Sequence, residues 1–165
     1  GEGSDFGWPF CYYDPEMSQK TLSPEYGGNG EEAGLCEGKE DPIMAFPEHW
    51  APNDLVFYKG NMFPEKYQNG AFIAFHGSWN RAPLPQQGYN VAFVPFDANG
   101  MPSGDYERFA DQFAGSGEDI ASPGDAEFRP TGLAIGPDGS LYITDDQKGR
   151  IWRVFYQNQQ VASLK

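Results

Sequence analysis

Gly70 to Phe96, GAFIAFHGSWNRAPLPQQGYNVAFVPF, decides the fold. Ala71 to Phe75 is apolar throughout, and Tyr89 to Phe96 is aromatic and β-branched. Two such runs around a Gly- and Pro-bearing connection predict paired strands. The tip carries His76, Ser78, Trp79, Asn80 and Arg81. Polar and aromatic groups on the tip of a rigid hairpin are how sheets present binding side chains.

The pattern extends on both sides. Leu55 to Tyr58 predicts a strand before the hairpin, and Tyr106 to Phe113 a weaker one after it. It restarts with Thr131 to Ile135, the turn Gly136-Pro137-Asp138-Gly139, Leu141 to Thr144, a second turn through Asp145 to Gly149, and Ile151 to Tyr156. Short strands joined by such turns, repeating at intervals of tens of residues, predict an all-β chain of antiparallel four-stranded sheets, a β-propeller or related array. Residues 49–118 read as one complete blade, and residues 119–165 as a last blade with three strands and its fourth missing. Residues 1–48 read as the end of a preceding blade, with Phe6 to Tyr13 closing a sheet, then an acidic, Gly- and Pro-rich loop. An incomplete ring exposes apolar faces. The expectation is therefore the C-terminal portion of a larger propeller, partnered by its remaining blades.

The chain has 24 acidic and 11 basic residues, a net charge of −13. That balance argues against nucleic acid and anionic membrane surfaces as partners. No run approaches the roughly 18 apolar residues of a membrane span, and no signal peptide is visible. Cys11 and Cys36 are the only cysteines. In a loop unable to bury much they suit a disulfide, the alternative being two unrelated thiols; a bridge implies an oxidising compartment, periplasmic or secreted. Without a nearby histidine they make a poor zinc site.

In a propeller, loops before first strands and after second strands share one face. The first kind carries His49 and Trp50, then Arg129; the second carries His76 to Arg81, then Asp145 and Asp146. Both histidines and two arginines thus fall together. An acceptor-rich ligand at the central mouth suits Arg129 as a planar charged donor and the imidazoles as further donors. Plainer roles stand beside these. Trp79 packs under a neighbouring loop, Asn80 and Arg81 satisfy backbone groups, Asp145 and Asp146 cap the turn to Gly149, and Asp138-Gly139 is an ordinary hairpin turn. Two adjacent carboxylates alone do not make a metal site.

DFGWPFCYY (5–13), HWAPNDLVFYKGNMFPEKY (49–67), NGAFIAFHGSWNR (69–81), GYNVAFVPF (88–96) and RPTGLAIGPDGSLYITDDQKGRIWRV (129–154) together resemble the glucose/sorbosone dehydrogenase family, in its HGSWNR branch. The resemblance implies a six-bladed propeller of which this chain covers roughly the last two to three blades. It implies a soluble quinoprotein that oxidises a sugar with pyrroloquinoline quinone (PQQ) and Ca2+ and passes electrons to an external acceptor. By position it implies that His76 sets a basic group against the quinone and Arg129 pairs with a cofactor carboxylate. His49, and more weakly Trp50 and Asn80, fall at the cofactor or substrate mouth. Phe6 stands where some members carry tyrosine, and Thr131 where some carry a second arginine. The family's base histidine and calcium loop belong to earlier blades. The calcium ligands are therefore expected upstream of Gly1, with no catalytic or metal residue in this chain and no turnover by it alone. The alternatives are a non-catalytic extracellular propeller used for binding, or a lactonase-like hydrolase.

Overall fold

The β-branched and aromatic runs form strands and the Gly-, Pro- and Asp-bearing segments turn between them. The computed structural model describes residues 2–115 and 120–157. The expected boundary at 118/119, the break at Gly117 and the tail beyond 157 lie outside the described residues. The chain divides into two compact units, Gly1–Phe46 and Pro47–Lys165. Every strand pairing is antiparallel, and the only helices among the described residues are short 3-10 turns.

In the first unit, β1 (Cys11–Asp14) pairs with β2 (Gln19–Leu22). The Asp14 carboxylate closes the hairpin by accepting from Glu16 N at 2.8 Å. The expected long loop thus includes a strand, β2, whose sequence QKTL carries little strand signal. The rest is fixed locally. Asn29 Oδ1 accepts from the amides of Glu31 and Glu32, both at 2.9 Å, and Leu22 N donates to Glu32 O. Cys11 and Cys36 form the anticipated disulfide, with Cα atoms 5.7 Å apart.

In the second unit, β3 (Pro52–Tyr58), β4 (Gly70–Phe75), β5 (Asn90–Pro95) and β6 (Glu107–Ala110) form one sheet in chain order. β7 (Pro130–Ile135), β8 (Leu141–Asp145) and β9 (Ile151–Val154) form another. All seven sit where the sequence predicted strands. β4 and β5 are covered on both faces, which explains their continuous apolar runs. Val56, Phe72 and Phe93 share a face through the register Val56↔Phe72↔Phe93. That face meets Leu141 and Ile143 of β8 in the core. The opposite face of β3 leaves Leu55 and Phe57 half exposed.

Two polar ties join the sheets. Asp54 of β3 accepts from Leu133 N of β7 at 2.7 Å. The Tyr58 hydroxyl donates to Gly139 O at 2.8 Å and accepts from Met62 N and Phe63 N. β7 lies against β3 and β4, so the first strands of the two sheets run side by side.

Candidate functional site

β4 leaves its sheet at Phe75, but pairing continues for two more residues. His76 N donates to Ala51 O at 2.9 Å and Gly77 N to Trp50 O at 3.0 Å. His49 to Ala51 therefore flank His76 and Gly77. His49 and Ala51 take left-handed backbone angles, φ 62° and 54°, which turn the chain sharply into β3. Gly77 has φ 93°, and any side chain there would run into the Tyr89 ring. This close approach requires glycine.

Ser78 anchors the loop that follows. It is fully buried. Its amide donates to Gln87 O at 2.6 Å, its hydroxyl donates to Gln86 Oε1 at 2.7 Å and accepts from Gln87 N at 2.7 Å, and its carbonyl accepts from the Tyr89 hydroxyl at 2.8 Å. Burial pushes the Tyr89 phenol up from its ordinary pKa, so it stays a neutral donor. Beyond this anchor, Trp79 is 75 % exposed rather than packed under a loop, and Asn80 is exposed too. Arg81 reaches back to Glu48 O at 3.5 Å, the backbone role expected of it.

Arg129 enters from the other sheet, just ahead of β7. It is only 8 % exposed. Its guanidinium donates through Nε to His76 O at 3.2 Å and through Nη2 to Gly77 O at 3.3 Å. It also lies 5.8 Å from the Tyr89 ring centre. Among the described residues no carboxylate pairs with this guanidinium. The nearest candidate, Asp145 at the end of β8, is occupied elsewhere. It accepts from Arg129 N at 2.7 Å, Gln147 N at 3.1 Å and Lys148 N at 2.8 Å. Burial works to raise its pKa, but these amides outweigh it and hold the carboxyl below its usual range. Asp145 thus caps the turn, as its place after a strand implied. Asp146 behaves differently: its carboxylate oxygens lie 2.9 and 3.1 Å from His76 Nε2.

The structure thus brings His76, Arg129 and the backbone of His49 together at one end of the two sheets. Trp50, expected at the cofactor face, has its indole inside the protein. It is 2 % exposed, edge-on to Phe75 at 5.2 Å and to Tyr106 at 5.9 Å, with the Arg108 guanidinium 5.0 Å from its ring centre. An indole next to a histidine in sequence carries no signal of which side it will face. Ser78 and Asp146 were expected on this face and Tyr89 in the strand that follows, but none was given its partner, since the partners are set by the fold. Among the described residues no cluster of three or more His, Cys, Asp or Glu side chains could hold a metal ion. A groove lined by Phe57, Lys59, Asn61, Ile135 and Pro137 lies at the opposite strand ends, away from these groups. Chemically, the arrangement offers a buried cation facing two carbonyl oxygens and an aromatic ring and, among the described residues, no carboxylate, beside an imidazole. It suits an anionic, acceptor-rich ligand.

Comparison with known proteins matches residues 2–157 to the TrAA12-like family. An uncharacterized protein of Borreliella burgdorferi is 37 % identical over 116 residues, 70 % of this chain and 28 % of that protein. The pyrroloquinoline quinone-dependent pyranose dehydrogenase of Coprinopsis cinerea is 32 % identical over 166 residues, 88 % of this chain and 22 % of the enzyme. The chain thus spans about a quarter of the length of these relatives. Among solved structures, the Trichoderma reesei Carbohydrate-Active Enzymes Family AA12 protein superposes with a TM-score of 0.67 at 24 % identity, covering 90 % of this chain and 38 % of that one. At that identity the likeness shows the fold alone.

Proposed function

The chain belongs to the TrAA12-like family, and on that premise we propose that it is part of a PQQ-dependent sugar dehydrogenase, to which it contributes residues of the cofactor cradle. The observation that carries this reading is Arg129: a buried guanidinium facing two carbonyl oxygens and, among the described residues, no carboxylate. A buried cation without an anion is unfavourable unless a ligand supplies one. PQQ is a tricarboxylate and fits that demand. In this reading Arg129 binds a cofactor carboxylate, His76 faces the quinone ring system, and His49 and Asn80 stand at the mouth. Trp50 supports them from behind as a packing residue. When bound, PQQ supplies the two-electron acceptor for hydride from the sugar. This chain's residues bind it, orient it and hold the mouth's shape. Ca2+ belongs, in this proposal, to other parts of the whole protein.

The architecture proposed is two adjacent wedges of a β-propeller, residues 49–118 and 119–165, preceded by part of another. The side-by-side placement of β3 and β7 supports it, as do the half-exposed Leu55 and Phe57, which suit cover by a further wedge. The Cys11–Cys36 disulfide suits a periplasmic or secreted protein. No helix among the described residues is long and apolar enough to cross a membrane.

The test uses the whole protein. Equilibrium binding of PQQ with Ca2+ should saturate, and sugar-dependent dye reduction should follow. Arg129→Lys keeps the charge but loses the planar fork, and should weaken PQQ binding by about tenfold or more. Unchanged affinity in that variant removes Arg129 from the cradle. No PQQ uptake by the unaltered protein sinks the enzyme reading and leaves a binding module.

A further inference from the structure

We infer that Asp146 is a positioning residue for His76: it holds the imidazole by Nε2 and thereby presents Nδ1 as the ring nitrogen that meets a bound ligand. The role rests on the reading of His76 as a cradle residue. The geometry itself does not.

His76 is held from three directions. Its main-chain amide donates to Ala51 O at 2.9 Å, and its carbonyl accepts from Arg129 Nε at 3.2 Å. The backbone is therefore pinned on both sides, and the side-chain torsions are the remaining freedom. Asp146 removes that freedom, with both carboxylate oxygens within 3.1 Å of Nε2. The carboxylate is itself on a fixed base, because the preceding residue, Asp145, accepts from Arg129 N, Gln147 N and Lys148 N. One dipeptide at the end of β8 thus fixes both candidate cradle residues. Asp145 takes the Arg129 backbone and Asp146 takes the His76 ring. The Arg129 guanidinium closes the circuit on the carbonyls of His76 and Gly77.

The two ring nitrogens are chemically distinct, and the partner of one sets the state of the other. A carboxylate at Nε2 requires a proton there. Nδ1 is then a lone pair in the neutral ring and a second N–H in the imidazolium. The His76 side chain is 18 % exposed and that of Asp146 56 %. The ring therefore lies inside the mouth with the carboxylate on its solvent side. A contact with one partner this open to solvent adds little to stability. Its effect is on orientation.

The experiment labels histidine with heavy nitrogen in the whole protein and reads ring protons by NMR. The His76 signal is assigned by its loss in His76→Gln, which separates it from His49 and from every histidine outside this chain. The expected result is a downfield ring proton on His76 Nε2, lost in Asp146→Ala and kept in Asp146→Asn, whose amide oxygen still accepts. A ring proton on Nδ1, or a signal indifferent to Asp146→Ala, overturns the inference. A second readout is PQQ affinity. Deleting an anion beside a tricarboxylate should, through charge alone, tighten binding; losing the ring's orientation should loosen it by about tenfold, with recovery in Asp146→Asn. Tighter or unchanged binding in Asp146→Ala also overturns it. If the unaltered protein takes up no PQQ, the proposed function fails while the ring-proton result still decides this one.

Discussion

Arg129 and Asp145 are buried charges held in opposite ways: one is a cation held by carbonyl oxygens, the other a carboxylate held by amide hydrogens. The second has a consequence for acid stability. The pKa of Asp145 is depressed in the folded chain by its amide shell, and that of Asp138 by the Ser140 hydroxyl and Arg153. A depressed carboxyl stabilises the fold at pH values above its unfolded pKa and loses that contribution as pH falls through the folded value. The thermal midpoint should therefore drop on acidification below about pH 4. Asp145→Asn should be less stable at neutral pH and show a flatter acid limb. Melts across that range check this, and an unchanged acid limb would show that the shell does not favour the charged form. At this scale little was legible in the chain. Arg129 and His76 stood out because strand order puts both at one end of the sheets. The pairing of His76 with Asp146 joins positions 70 residues apart, and no local pattern encodes it. Trp79 and Trp50 exchanged their expected places, one outside and one inside. Both flank strand ends, where alternation stops and neighbouring segments decide burial.

Among the elements, β3 to β9 follow their sequence signals closely, because strand formation here is driven by apolar and β-branched runs bounded by turn residues. β2 was invisible for the converse reason. It is held by its partner β1, by the Asp14 turn and by Leu22 N donating to Glu32 O, rather than by its own side chains. The tie between the two larger sheets is more local than the core suggests. Tyr58 places one hydroxyl among Gly139 O, Met62 N and Phe63 N, and its ring lies edge-on to Phe72 at 5.6 Å. Tyr58→Phe keeps the ring and strands three backbone groups, two of them, Gly139 O and Phe63 N, in buried bonds. It should destabilise the protein by about 2 kcal/mol or more, measured by chemical unfolding. A loss within a few tenths would mean that water replaces the hydroxyl.

Across the whole molecule, the two compact units are stabilised differently. The second has an aromatic core in which Phe72 touches Phe93, Phe109, Phe63 and Tyr58 rings at 4.6 to 5.9 Å. The first leaves Phe6, Trp8 and Leu35 more than half exposed and is closed by one disulfide spanning 25 positions. Cys36→Ser should therefore destabilise the first unit by about 2–4 kcal/mol, seen as new proteolytic cleavage within residues 24–40 while the strands of the second unit stay protected. Equal resistance with and without the bridge would show that the turns suffice. By itself, the amino-acid order determined the all-β class, the strand sequence and the gathering of the candidate site residues His76 and Arg129 at strand ends. These depend on short-range alternation and on turn residues a few positions apart. Only the tertiary structure decided which groups meet: the Arg129 guanidinium with the carbonyls before Ser78, Asp146 with the His76 ring, and the Trp50 indole with the back of the sheet. Burial and pairing of that kind arise when segments tens of residues apart close on one another and exclude water, and that is not written in any single stretch of chain.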